Sequence, residues 1–158
     1  MYNLSLPTIT TSAIIVDTII GYYLLISNRG GKYIKEWYKT FTIGAYAMDI
    51  LSIIIGTFIA VSLTNNIYKQ LLLVVIVGLI HDISFGLFLN KFKKNTPILN
   101  IFRNYANELG ITILIVDALM LISTILIAYL LKDNLSINTI IFIGILFLYL
   151  GLLMVYSF

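Results

Sequence analysis

Val77 to Gly86 reads VGLIHDISFG. It places a histidine and an aspartate, His81 and Asp82, in the middle of an apolar run that extends over residues 71–90. About 20 predominantly apolar residues in helical form cross a bilayer, so this run reads as a transmembrane helix with an ionisable pair at its centre. Three other apolar runs each carry one aspartate, Asp17, Asp49 and Asp117.

Working outward from it, the pattern predicts five spans at about residues 8–27, 41–63, 71–90, 111–131 and 137–158. They form one transmembrane domain over residues 1–158. The composition agrees: 60% of the residues are hydrophobic and 11% charged, with mean hydropathy +1.02. A soluble domain is about a quarter charged, so lipid must be the outer solvent. The expected fold is an all-α integral membrane protein, a bundle of five transmembrane helices with four in the core and one peripheral. No cleavable signal peptide is expected, because the N-terminus lacks a basic region. With no cysteine in the chain, dithiol redox chemistry and a thiolate metal site are excluded.

Two connections are basic. The first, NRGGKYIKEWYKT, interleaves Tyr33, Trp37 and Tyr38 with Lys32, Lys35 and Lys39. It reads as a short amphipathic helix at the headgroups, with Tyr33, Trp37 and Tyr38 as interface anchors. The second, KFKKNTPILNIFRNYANELG, becomes helical after Pro97, with Ile98, Ile101, Phe102 and Tyr105 on one face. Glu108, at its end, reads as a solvated or helix-start acid. TNNIYKQ and KDNLS are expected as turns. The positive-inside rule puts the two basic connections in the cytosol and the N-terminus outside. Basic residues confined to membrane edges speak for topology and lipid headgroups rather than nucleic acid.

With that orientation the four aspartates fall in one layer. Each lies six to ten residues in from the cytosolic end of its span, which is roughly 9 to 15 Å at the helical rise per residue. Small or polar residues flank each at helical spacing: Ala13 and Gly21 about Asp17, Ala45, Ser52 and Gly56 about Asp49, Gly78, Gly86 and Asn90 about Asp82, and Gly110, Thr124 and Ala128 about Asp117. The acids therefore face the bundle interior. The fifth span has only Gly144 and Gly151 in such a stripe and is expected at the periphery. MDILSIIIGTFIA in the second span resembles VDALMLISTILIA in the fourth, aspartate on aspartate, and IIVDTII in the first resembles LIVDALM in the fourth; both point to an internal repeat.

An acid at mid-membrane costs roughly 2.5 to 3.5 kcal/mol on insertion scales. No lysine or arginine lies within a span, so the acids must be protonated, share protons, bind a cation or face water. Asp17, Asp49, His81, Asp82 and Asp117 are thus the candidate ion- or proton-binding residues. Asp49, His81, Asp82 and Asp117 are the candidate ligands of a bound cation, either H⁺ or a hard divalent metal. His81 could equally be a neutral imidazole bonded to Asp49 or Asp117. The structural alternative for the acids is interhelical glue, carboxylic acids hydrogen-bonded to hydroxyls or backbone. The leading expectation is a small proton or cation channel or transporter, a homo-oligomer. The alternative is a structural or assembly membrane protein. A metal-dependent intramembrane enzyme ranks last, since no nucleophile or general base stands apart from the ion ligands.

The runs HDISFGLFLN, NTPILNIFRNYANELG and VDALM are similar to small uncharacterised multi-pass membrane proteins encoded by large nucleo-cytoplasmic DNA viruses. The resemblance covers roughly residues 38 to 131. It implies residence in a viral or host membrane and supplies no catalytic residue.

Overall fold

Ser5 accepts the amide of Thr8 at 3.4 Å and Pro7 stands in the first turn, and together they start α1, Leu6–Ile26. The computed structural model describes residues 4–157; Phe158, the last residue of the fifth expected span, lies outside them. After α1 come α2 (Gly31–Phe41), α3 (Ile43–Leu63), α4 (Ile67–Lys91), α5 (Pro97–Leu109), α6 (Ile111–Asn134) and α7 (Ile137–Val155). The chain is an all-helical, multi-pass membrane protein, in which α1, α3, α4, α6 and α7 are long and apolar enough to cross a bilayer.

The largest boundary difference is at α4, which begins within the expected turn TNNIYKQ. Asn66 accepts the amide of Lys69 at 3.1 Å, and Gln70 donates to the Thr64 carbonyl at 2.7 Å while accepting from the Tyr129 hydroxyl at 3.0 Å. Those bonds make a helix start from residues that read as a polar turn. Similarly, α6 runs on to Asn134, through part of KDNLS.

The four aspartate-bearing helices form a ring in the order α1, α3, α4, α6, with α3 and α6 also touching across the centre. The fifth span, α7, lies outside that ring along α1. Thr11 donates to the Ile140 carbonyl at 3.2 Å and Thr18 reaches the Phe147 carbonyl at 3.4 Å. Gly144 lets α7 sit that close, since a Cβ there would stand 2.6 Å from the Thr11 hydroxyl. The outer side of α7 is open, with Phe142, Ile145 and Tyr149 exposed, while Gly151 and Met154 face the bundle.

The two short helices share one end of the bundle, the basic end. Each has a polar outer side and an apolar inner side. They pack on each other through Trp37 and Phe102, whose rings are 4.8 Å apart. Glu108 on α5 accepts the amides of Lys32 and Tyr33 at 2.9 and 3.2 Å, so it closes the N-terminus of α2. Arg103 bonds the Leu89 carbonyl at 3.1 Å and the Phe92 carbonyl, which ties α5 to the end of α4. Both residues thus hold the platform together.

The first six helices run twice through one order: span, platform helix, span. In the ring α1 adjoins α3 as α4 adjoins α6, and α3 adjoins α4 as α6 adjoins α1. Each platform helix turns into the next span at one residue of positive φ, Thr42 (47°) and Gly110 (53°). Asp49 is the seventh residue after Thr42, and Asp117 the seventh after Gly110. Ile26, the end of α1, is the ninth residue after Asp17, and Lys91, the end of α4, the ninth after Asp82. Both units run in the same direction, as in repeats related by an axis along the membrane normal.

Candidate functional site: a layer of aspartates under the helical platform

Helical rise puts Asp49 and Asp117 roughly 9 Å from the platform end of their helices, and Asp17 and Asp82 roughly 14 Å from it. Each unit supplies one of each. Asp17 and Asp49 are close enough to feel each other's charge, and Asp117 lies within electrostatic reach of Asp82 and of Asp49. The four acids therefore form a chain in space: Asp17, Asp49, Asp117, Asp82.

In the first pair Asp17 is fully buried, and Asp49 is half-buried under α2. Asp17 is 1% exposed and its Oδ2 has no hydrogen-bond partner. Asp49 is the opposite case: its Oδ2 accepts the Trp37 indole N–H at 3.2 Å and the Tyr38 hydroxyl at 2.8 Å. Both donors come from α2. Trp37 and Tyr38, expected as anchors among headgroups, are instead buried at 3% and 2% exposure. The reason is helical phase: Ile34, Trp37, Tyr38 and Phe41 form the one apolar face of α2, and the bundle rather than the headgroup layer receives it. Tyr33 is half-buried at the platform surface, with the Lys32 ammonium over its ring.

Burial first, and then the Asp49 charge, pushes the Tyr38 hydroxyl well above the usual tyrosine range. It therefore stays protonated and remains a donor to Asp49. Its position also reaches α1: a Cβ added at Gly21, one turn from Asp17, would lie 3.6 Å from the Tyr38 hydroxyl oxygen. On the α3 side, the Tyr46 hydroxyl closes the pocket through its 2.6 Å bond with Thr18.

The second pair is more open. Asp117 is half-buried. Tyr105, in the place that Trp37 holds in the first unit, is likewise raised, by burial first and then by Asp117. Tyr38 corresponds to Ala106, which is exposed and has no hydroxyl to give. The side chain of Asp82 is 15% exposed, and Nδ1 of His81 lies 2.9 Å from its Oδ1. His81 thus bonds its own neighbour rather than Asp49 or Asp117. Although the two residues are about 100° apart on the helix, their side chains bend towards each other. The imidazole is 63% exposed and points out of the ring.

Among the flanking positions, Ala13, Gly21, Ala45, Gly56, Gly78, Thr124 and Ala128 are buried, whereas Ser52, Asn90 and Gly110 are exposed. The candidate metal set Asp49, His81, Asp82 and Asp117 is not gathered. Among the described residues no three or more His, Asp or Glu side chains converge as a metal-binding group. The physical causes are the outward turn of His81 and the occupation of the Asp49 Oδ2 by two donors. The α2 donors and the Glu108 cap were not foreseen from sequence as parts of the site. The legible signal was the 3–4 spacing of Ile34, Trp37, Tyr38 and Phe41.

Compared with models of protein families, with curated proteins and with solved structures, the chain finds no match.

Proposed function

We propose that this protein moves protons, or a small cation in their place, across its membrane through the aspartate layer, with the α2–α5 platform on the cytosolic side. The observation that carries this reading is Asp17, a fully buried carboxyl with an unpartnered oxygen. It belongs to a layer of four acids with no lysine or arginine at its depth, since Lys69, Lys91 and Lys132 stand in the terminal turns of α4 and α6. A helix that had only to pack would be better served by an apolar residue at each of these places. Neighbouring carboxyls spaced from Asp17 through Asp49 and Asp117 to Asp82 are the groups between which a proton can step. His81 stands at the open end as relay or pH sensor.

The same imidazole favours a homo-oligomer. One ring nitrogen is engaged by Asp82, and the other faces outward near the midpoint of α4. Hydrocarbon offers it no partner. A second copy of α4 offers the same His–Asp pair, and the two are self-complementary about a two-fold axis.

The test is proton flux into liposomes holding purified protein, read with a pH-sensitive dye under a K⁺ diffusion potential. Wild type should conduct, and Asp17→Asn and Asp82→Asn should each abolish flux while remaining folded. Flux in neither wild type nor variants, with all three well folded, removes the transport reading.

A second reading rests on Asp49. Its two donors make it interhelical glue between α2 and α3. This suits a structural or assembly protein of a membrane, and the resemblance to viral multi-pass proteins would make that a viral or host membrane. It predicts that all four Asp→Asn variants assemble as wild type and that none alters permeability.

A further inference from the structure

The two carboxyls of the first unit are treated differently by their surroundings. Asp49 receives two hydrogen-bond donors on one oxygen, and an oxygen that accepts from an indole N–H and a phenol O–H is best supplied as an anion. Asp17 receives none on Oδ2, although that atom is fully buried. An anion there would have nothing to offset its desolvation, whereas a carboxylic acid O–H needs only one acceptor.

We propose that Asp17 and Asp49 form a single-proton site, in which Asp17 holds the proton and Asp49 the charge, and that α2 is the cap isolating this pair from the basic end of the bundle.

The groups facing the pair are few. Besides Trp37, α2 contributes Tyr38, and α3 contributes Tyr46, which closes the Thr18 side. Asp117 on α6 and Tyr105 on α5 lie within reach of the Asp49 charge from the second unit. From α7 come Met154 at Gly21 and Gly151 at Tyr46, both without charge. The α2 lysines stand away from it: Lys35 bonds Asn28 at 2.5 Å, while Lys32 and Lys39 are exposed.

The cap has a latch on the other unit. The Glu108 carboxylate on α5 holds the first turn of α2, and a Cβ at Gly31 would collide with that carboxylate. Gly31 also has φ +79°, a conformation that favours glycine. The second unit differs here, because Ala106 stands where Tyr38 does and has no hydroxyl to give to the second pair.

This inference deepens the proton-path reading, and its test does not depend on flux. Infrared spectra of the full-length protein in lipid nanodiscs should contain the carbonyl stretch of a buried protonated carboxylic acid. Asp17→Asn should remove that component, and Asp17→Glu, which keeps a carboxyl, should move it. In D₂O the component should exchange slowly in wild type. With Tyr38→Phe it should exchange about tenfold faster or more, the change expected when one hydrogen bond to a charged group is lost, and with Glu108→Ala about fivefold faster, the change expected when an N-terminal cap is lost. A spectrum without such a component, one that Asp17→Asn leaves unchanged, or equal exchange in wild type and both cap variants would each overturn the proposal. If liposome flux fails while the Asp17 component and its slow exchange are found, the site stands and transport does not.

Discussion

Glu108 on α5 accepts the amide of Lys32 on α2 at 2.9 Å, so one platform helix caps the other across the repeat. The second carboxylate oxygen takes the next amide, from Tyr33, at 3.2 Å. This answers the unpaired amides of a helix whose N-cap residue, Gly30, has no side chain to do so. Glu108→Ala should therefore fray α2, at a cost of about 1 kcal/mol, the usual value of an N-terminal cap. Hydrogen exchange at the amides of residues 31–34 should rise while exchange in α1 and α3 stays unchanged. Unaltered exchange in α2 would mean that the bundle alone holds it.

Tyr38 gives a prediction on the alkaline side. Its folded hydroxyl titrates above the ordinary tyrosine range, so the folded state binds this proton more tightly than the unfolded one. The stability this contributes is complete below about pH 10, the ordinary tyrosine value, and is lost as pH rises from there through the folded value. Tyrosinate absorbance should thus show a component released only as the protein opens, and Tyr38→Phe should reduce it, Tyr105 supplying part of what is left. Tyr38→Phe should also lower stability at neutral pH by about 1.5 to 3 kcal/mol, the worth of a hydrogen bond to a charged acceptor. An unchanged late component in the variant would assign it elsewhere.

The seating of α7 is testable at Gly144. A Cβ there meets the Thr11 hydroxyl at 2.6 Å, and that hydroxyl is held by the Ile140 carbonyl. Gly144→Ala should force the helices apart at a cost of about 1 to 3 kcal/mol, the range for overpacking. Thr11→Ala should cost less alone and should recover part of the loss when combined with it. A double-mutant cycle in detergent measures that coupling, and strictly additive losses would show that α7 and α1 do not meet there.

These contacts mark how far the sequence could be read. The spans were legible because apolar length is a one-dimensional signal, and the in-facing acids because Ala13, Asp17 and Gly21 keep helical spacing. The short helices were legible from the same spacing. What α2 does with its apolar face was not, because Trp37 and Tyr38 satisfy both an interface belt and a buried donor pair. Only the turn at Thr42 decides, by folding α2 back over Asp49. His81 misled for the converse reason. Its place in the middle of a span reads as interior, but the side of a helix that faces the ring depends on how α4 packs against α3 and α6. Of the two alignments in the sequence, Asp49 with Asp117 joins corresponding spans, α3 and α6, next to the corners Thr42 and Gly110, whereas Asp17 with Asp117 joins α1 to α6, which do not correspond.

His81 supplies the last prediction. Its imidazole is 63% exposed near the middle of α4, beside the exposed Ser84. A group that needs a hydrogen-bond partner and cannot find one in hydrocarbon is stable there only against protein or water. If a second copy supplies that partner, α4 faces α4 across a two-fold axis, and identical positions on the two copies lie close together. The chain has no cysteine, so single-cysteine probes have no background. His81→Cys and Ser84→Cys should each give a covalent dimer under mild oxidation in lipid, whereas Ala13→Cys, buried inside the ring, should not. A His81→Cys protein that stays monomeric but reacts with a water-soluble thiol reagent would replace the dimer contact with an aqueous crevice leading to Asp82. That outcome would shorten the proton path, since the second carboxyl pair would then open to water without crossing the platform.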